Sequence, residues 1–366
     1  MRVLMITADM GGNVPPTLAV ADALVARGHG VAVAGLPPGG TALPRRELAA
    51  ATAVAAAVRG EGTASGDLSA LLRLMGGRAT TAATRALVES ERPDVVVADC
   101  MLPAPLRGVL DAGAPTAVLF HTFASYWTDR FDRGPAGVAL AARRLRPATL
   151  WREAGLRLVA TDPGLDPGRD GRRLADAVWT GTTETGAERA PHDGPPRILV
   201  SLSSTGWPGM LDVYRRIVAA LAALPVTAVV TTGRVDLGGE VPAAANVDVR
   251  AFADHAELLA RTDLLIGHGG HSTTMKALAH GVPVLVLPIN PTADQRMLGD
   301  ALARAGLGRV LRRSARPEVV RDTVEAMLAD GGLRSRAEAV GTRMRGMPPG
   351  ADVAAERIVA LAFARR

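Results

Sequence analysis

The chain has 366 residues, 48% hydrophobic and 21% charged, with a mean hydropathy of +0.16. At about 100–200 residues per domain this predicts two globular domains with full cores and excludes wholesale disorder. The net charge is +6 and the pI about 10.6, yet the 42 basic residues, all arginine except Lys276, are scattered and aromatics make up only 3%. A nucleic-acid partner is not expected, because a single-strand binder interleaves its cations with stacking rings. The one cysteine, Cys100, cannot close an intramolecular disulfide, and the opening Met-Arg-Val-Leu-Met-Ile-Thr runs into a strand pattern without a cleavable leader. A reducing cytoplasm is the expected compartment, and no apolar run reaches the roughly 18 residues that a membrane span needs.

In chain order, Val3 to Thr7 reads as a short buried strand, then a turn through Gly11, Gly12, Asn13, Pro15 and Pro16, then a helix marked by Leu18, Ala21, Leu24 and Val25. Gly28-His29-Gly30 closes that helix and Val31-Ala32-Val33 begins the next strand, a βαβ opening. Strands recur at Val95 to Ala98 and Thr116 to Phe120, while residues 41 to 66, rich in Ala, Gly, Thr and Ser, predict a variable helix and loop. From about Val178 to Arg197 periodicity gives way to Gly, Pro and Thr, which predicts an interdomain linker over 181–196. Strands resume at Ile198 to Leu202, Val226 to Thr231, Val247 to Ala251, Leu264 to Ile266 and Val284 to Leu287. The predicted class is α/β, with parallel-sheet domains at 1–180 and 197–348 and a carboxy-terminal helix, 349–366, able to pack back on the first. Ligands of open parallel sheets lie beyond the strands' carboxyl ends, so two such domains imply two ligands across a cleft.

The strongest chemical signal runs from Asp263 to Pro283, where a buried strand ends in Gly267-His268-Gly269-Gly270 and Ser272, Thr273 and Thr274 open the next helix. Glycines admit a ligand close to the backbone, and the free N–H groups of a helix start, with about half a unit of positive charge, favour an anion. The segment reads as a diphosphate cradle, with His268 as a further donor; the plainer reading is a Gly-rich turn with a Ser/Thr cap. Asp294 and Gln295 repeat the strand, loop and helix order after Leu287 and offer acceptors and donors suited to vicinal sugar hydroxyls. Alone, that pair reads equally as an N-cap.

Together, Arg250-Ala251-Phe252-Ala253-Asp254-His255, the His-Gly-Gly-x-Ser-Thr-Thr core, Gly281-Val282-Pro283, Ala293-Asp294-Gln295 and Gly306-Leu307-Gly308 resemble the donor region of nucleotide-sugar glycosyltransferases, most of all the bacterial natural-product branch. Gly12 to Leu18, Ala26 to Val31 and Pro93 to Asp99 resemble that family's amino-terminal signatures. The resemblance implies a GT-B fold of two facing Rossmann-like domains, with acceptor on the first and donor on the second. It implies an inverting transfer of a sugar or deoxysugar to an acceptor such as an aromatic polyketide, the nucleotide sugar serving as co-substrate with no bound cofactor, and the lack of an Asp-x-Asp pair favours a transfer that needs no metal. His268, Gly269, Gly270, Ser272, Thr273 and Thr274 would hold the diphosphate, Phe252 would flank the base, and Asp294 and Gln295 would hold the sugar. Ser204 and Thr205 would lie near the donor, with Ser203 replacing the usual glycine.

Two positions depart from that pattern. Asn13 stands where many relatives carry a proton-accepting histidine, while the partner carboxylate remains as Asp99; an amide is no base, which leaves His121, Asp9 or Asp99 itself. A phenolic acceptor, near pKa 10 like tyrosine, would relax the demand. Lys276 stands where a ribose-binding glutamate is usual, which favours a dTDP donor lacking the 2′-hydroxyl, or else marks a solvent-facing residue. Phe120, Phe123, Tyr126 and Trp127 follow a strand's carboxyl end and form either an apolar acceptor wall or a core stripe. No Asp-x-Asp pair, zinc spacing, Gly-x-Gly-x-x-Gly, P-loop or nucleophile elbow is present in the sequence. An epimerase or cell-wall glycosyltransferase of the same fold, and a non-catalytic nucleotide-sugar-binding helper, remain alternatives. The expected partners are a small-molecule acceptor and a nucleotide sugar, with a homodimer as a further expectation.

Overall fold

The computed structural model describes residues 1–58, 64–203, 205–233 and 235–364. The chain forms two units, Met1–Thr183 with Pro348–Arg366, and Glu184–Met347. The first unit is built on a seven-stranded sheet of β1 (Arg2–Ile6), β2 (Gly30–Ala34), β3 (Arg45–Arg46), β4 (Val95–Asp99), β5 (Thr116–Phe120), β6 (Leu156–Val159) and β7 (Val178–Trp179). Its order is β3-β2-β1-β4-β5-β6-β7, parallel throughout. The second holds β8 (Arg197–Ser201), β9 (Thr227–Thr231), β10 (Val247–Arg250), β11 (Leu264–Gly267), β12 (Val284–Val286) and β13 (Gly308–Val310) in the parallel order β10-β9-β8-β11-β12-β13. Every residue of β4, β5 and β11 is buried, which is why these strands read as unbroken apolar runs.

In each sheet the order of strands reverses at one place, between β1 and β4 and between β8 and β11. The crevice beyond the carboxyl ends at such a switch point is where doubly wound sheets bind ligands. In the first unit it is formed by the loops after Ile6 and Asp99, and in the second by those after Ser201 and Gly267.

Three strands depart from the apolar pattern. Arg157 interrupts β6 yet is buried, its guanidinium donating to the carbonyl of Ala154 at 2.6 Å and pairing with Asp176 at 2.5 Å. Val178–Trp179, at the start of the aperiodic stretch, pairs with β6 as β7 instead of joining a linker. Arg45–Arg46 forms a two-residue edge strand inside the stretch expected to be helix and loop; part of that stretch, 59–63, lies outside the described residues. From Glu184 onward the Gly/Thr-rich segment runs along the helix His271–Ala279, where a Cβ on Gly186 would meet the carbonyl of Ala279 at 2.3 Å.

The last helix, Gly350–Phe363, belongs to the first unit. Ala354, Ala355, Ile358 and Ala362 share one core with Val20, Ala21 and Leu24 of the helix Val14–Ala26, and Arg27 pairs with Asp352 at 2.6 Å on the rim. Among the described residues no helix is long and apolar enough to cross a membrane.

Candidate active site

At the switch point of the second unit, β11 ends in Gly267 beside Ser201 of β8, and His268 follows. One ring nitrogen of His268 hydrogen-bonds the main chain of Ser201, while burial lowers its pKa to about 4. The ring lies over Gly270, where an added Cβ would come within 2.6 Å of Cε1 and Nε2. Gly269 has φ +88°, and a Cβ there would meet the carbonyl of Gln295 at 2.7 Å. These two glycines therefore do separate work: one admits the histidine ring, and the other brings the loop after β11 against the start of the helix Gln295–Arg304.

The predicted donor residues divide at this point. Gln295 is buried, and its Oε1 accepts from the main-chain N–H of Ile289 at 2.8 Å and of Asn290 at 2.9 Å, so half of its amide holds the loop. Asp294 occupies the N-cap position without capping its own helix. Thr273 is half-buried and Thr274 buried. Ser272 is not an uncommitted ligand: its hydroxyl donates to Glu184 at 2.5 Å. Ser203 accepts from the Thr205 N–H at 3.0 Å and the Trp207 indole at 3.2 Å, so the serine in the glycine's place closes the loop on itself, whereas Ser204 lies outside the described residues. Phe252 is 76% exposed, an unusual surface cost for a large ring.

Sequence reasoning missed Glu184, which pairs with Lys276 at 3.3 Å as well as accepting from Ser272. Lys276 is thus tied to a carboxylate and is not a bare surface cation, and its charge, after burial, helps lower the pKa of neighbouring His255. Glu184 was hidden because it sits in an aperiodic Thr/Gly stretch that reads as linker.

The switch point of the first unit gathers Thr7, Asn13, Asp99 and His121. Asn13 Nδ2 donates to Asp99 Oδ2 at 2.8 Å, the Ala8 carbonyl at 2.7 Å and Thr7 Oγ1 at 3.0 Å, and its Oδ1 accepts from the Met10 N–H at 3.3 Å. Asp99 also accepts from Thr7 Oγ1 at 3.2 Å and the Met101 N–H at 3.0 Å. Burial pushes the Asp99 carboxyl up, but His121, the Met101 N–H and the Asn13 amide outweigh it and hold the pKa below its ordinary value. His121 Nδ1 stands 3.3 Å from Asp99 Oδ1. Asp9 is half-buried and does not join the cluster among the described contacts. Asp99, Cys100 and His121 also bring oxygen, sulfur and nitrogen atoms within 4.8 Å of one another, a set a soft cation could bridge. Opposing this, burial and then the charge of Asp99 raise the Cys100 thiol well above its usual pKa, which keeps it protonated.

The expectation of an aromatic acceptor wall is corrected. Phe120, Phe123, Trp127 and Phe131 are buried, and only Tyr126 of the cluster is half-exposed. Phe120 packs edge-on against Trp151, and Trp127 against Phe131, Tyr126 and His121, each with ring centroids 5.0–5.1 Å apart. In this Ala-rich chain the rings fill volume that small side chains leave, and Trp127 also walls one side of His121. Asp166 fixes the turn before them, accepting from the N–H groups of Ala124 at 2.6 Å and Gly168 at 2.8 Å.

Residues 215–361 match the family described as erythromycin biosynthesis protein CIII-like, C-terminal domain. The chain is 30% identical to demethyllactenocin mycarosyltransferase of Streptomyces fradiae, covering 87% of this chain and 84% of that one. It is 29% identical to the elloramycin glycosyltransferase of Streptomyces olivaceus over 97% and 96% of the two chains. The crystal structure of the glycosyltransferase VinC in complex with dTDP superposes with a TM-score of 0.72 at 20% identity, covering 100% of both chains. Two parallel-sheet units, each with its polar cluster at the switch point, and this kinship along nearly the whole chain show that the protein is a glycosyltransferase belonging to the GT-B natural-product family.

Proposed function

We propose that the protein transfers a deoxysugar from a dTDP-linked donor to a hydroxyl of an aromatic polyketide or related phenolic acceptor, with inversion at the anomeric carbon and without a metal. The observation that carries this reading is His268 over Gly270 at the head of the helix His271–Ala279. There the helix dipole, the main-chain N–H groups of the first turn and an imidazole come together at one helix end, which supplies the stabilisation a departing diphosphate needs. In the free protein His268 is neutral and already hydrogen-bonded to Ser201. A neutral ring has one N–H, so a second bond, to a phosphate oxygen, requires a proton drawn in by the diphosphate's own charge.

Phe252 offers an exposed face for the thymine, and Asp294 with Gln295 orients the sugar for in-line attack. The dTDP preference is supported by Lys276, whose pairing with Glu184 leaves an ammonium where a ribose 2′-hydroxyl would want an acceptor, and by the dTDP-bound structural relative. Inversion is supported by Asp99, which is 1% exposed and saturated with donors, hence a poor nucleophile for double displacement. The elloramycin glycosyltransferase relative supports a natural-product acceptor. The test is dTDP release from dTDP-sugars with phenolic and polyketide acceptors. Release only with acceptor, giving product of inverted configuration, is the expected result; release without acceptor points to an epimerase or hydrolase, and tight binding without release to a helper.

A further inference from the structure

We infer that His121 is the proton acceptor of the reaction, with Asp99 as its orienting partner and Asn13 as the bracket that holds Asp99 in place; the inference rests on the transferase reading above. Of the four polar residues named near the first switch point, Asn13 is an amide and no base, and geometry eliminates two of the other three as acceptors of a proton from an acceptor hydroxyl. Asn13 is 2% exposed, and its amide is spent on Asp99, Ala8, Thr7 and Met10. Asp99 is 1% exposed as a side chain, and donors from Asn13, Thr7 and Met101 occupy both its oxygens. Asp9 is partly exposed but has no partner in the cluster to orient it or to stabilise the proton it would receive.

His121 meets each requirement. Its Nδ1 is sealed from solvent and faces Asp99 Oδ1 at 3.3 Å, near enough for charge pairing though not aligned as a hydrogen bond in the free protein. The 11% of the side chain that remains exposed therefore excludes Nδ1, and the other face is braced by Trp127. With the proton on Nδ1 beside the carboxylate, Nε2 carries the lone pair, and contacts of this kind commonly tighten only when substrate is bound. As the acceptor oxygen bonds to the anomeric carbon, its proton passes to His121 Nε2. The bond from that carbon to the phosphate oxygen breaks, its electron pair leaving with the diphosphate, and Asp99 stabilises the imidazolium.

The test combines H121Q, N13H/H121Q and D9N with a dTDP-6-deoxyhexose as donor, phenols of graded acidity as acceptors, and nitrogen-15 NMR of the imidazole rings. Expected results are the neutral His121 ring protonated at Nδ1; kcat/KM in H121Q lower by about 10²–10⁴; loss of the acidic limb of the pH profile; dTDP affinity within twofold of wild type; and a loss that shrinks as the phenol becomes more acidic. Partial recovery in N13H/H121Q, which offers Asp99 a second imidazole, supports the assignment. The proposal is overturned if the neutral ring is protonated at Nε2, if H121Q keeps more than a tenth of wild-type kcat/KM, or if D9N and not H121Q removes the acidic limb. The NMR readout needs no turnover, so a failure of the transferase reading, seen as no sugar transfer by wild type, remains distinct from a failure of this one.

Discussion

Replacing Gly270 by alanine isolates what His268 contributes to donor binding. Gly270 has φ −66° and ψ 132°, a conformation any residue adopts, so the substitution adds no backbone strain. Its cost to the N-cap is about 1 kcal/mol or less. What the new methyl meets is the His268 ring, at 2.6 Å, and a side-chain ring gives way where backbone could not. On the proposed role of His268, the displaced imidazole loses a hydrogen bond to a charged phosphate, worth about 1.5–3 kcal/mol, or roughly 10–150-fold in dissociation constant. Calorimetric titration of dTDP into wild type, G270A, H268A and the double variant measures this as a cycle. G270A should approach H268A in affinity, and the double variant should be no worse than H268A alone. Binding by G270A within threefold of wild type, or full additivity in the double variant, would refute the role given to the ring.

Three further outcomes follow from the same geometry. Because His268 must gain a proton to donate twice, dTDP binding near pH 7 should take up protons, giving apparent enthalpies that change with the buffer's ionisation enthalpy and an affinity that weakens as pH rises; equal enthalpies in phosphate and Tris would contradict this. Its pKa of about 4 against 6.5 in the unfolded chain means that the unfolded state binds more protons between those values. The second unit should therefore keep full stability from this group above pH 6.5 and lose up to about 3 kcal/mol as pH falls to 4, a slope that H268N should flatten in urea melts. Y214F should cost about 1–3 kcal/mol in chemical denaturation, since the phenol donates to the Thr231 carbonyl at 2.9 Å and accepts from the Leu202 N–H at 3.3 Å, bridging β8 and β9 beneath the Ser203 loop.

The parallel strands and the His268 segment were legible in the sequence because both rest on local signals: unbroken Val/Ile/Leu runs, and glycines placed between a strand and a helix. β6 was not, because its central arginine is made tolerable by carbonyls and an aspartate that only the tertiary fold supplies. The same reason hid Glu184, whose partners lie 88 and 92 residues further along the chain. The aromatic cluster shows the opposite failure, a visible signal whose burial no spacing could reveal. At the first switch point the residue types were readable, but only distances show that Asn13 and Asp99 are consumed by each other while His121 is not.

The helix Gly350–Phe363 has a consequence for how the chain is made. The core it shares with the helix Val14–Ala26 joins residues more than three hundred positions apart, so the first unit to leave the ribosome cannot complete its packing until residues 350–363 have been synthesised. The second unit, continuous from Glu184 to Met347, has all its own strands available before that point. Assembly thus runs against the order of synthesis. The small side chains of the closing helix, Ala354, Ala355 and Ala362, suit it to dock late on a surface already formed, with little side-chain entropy to lose.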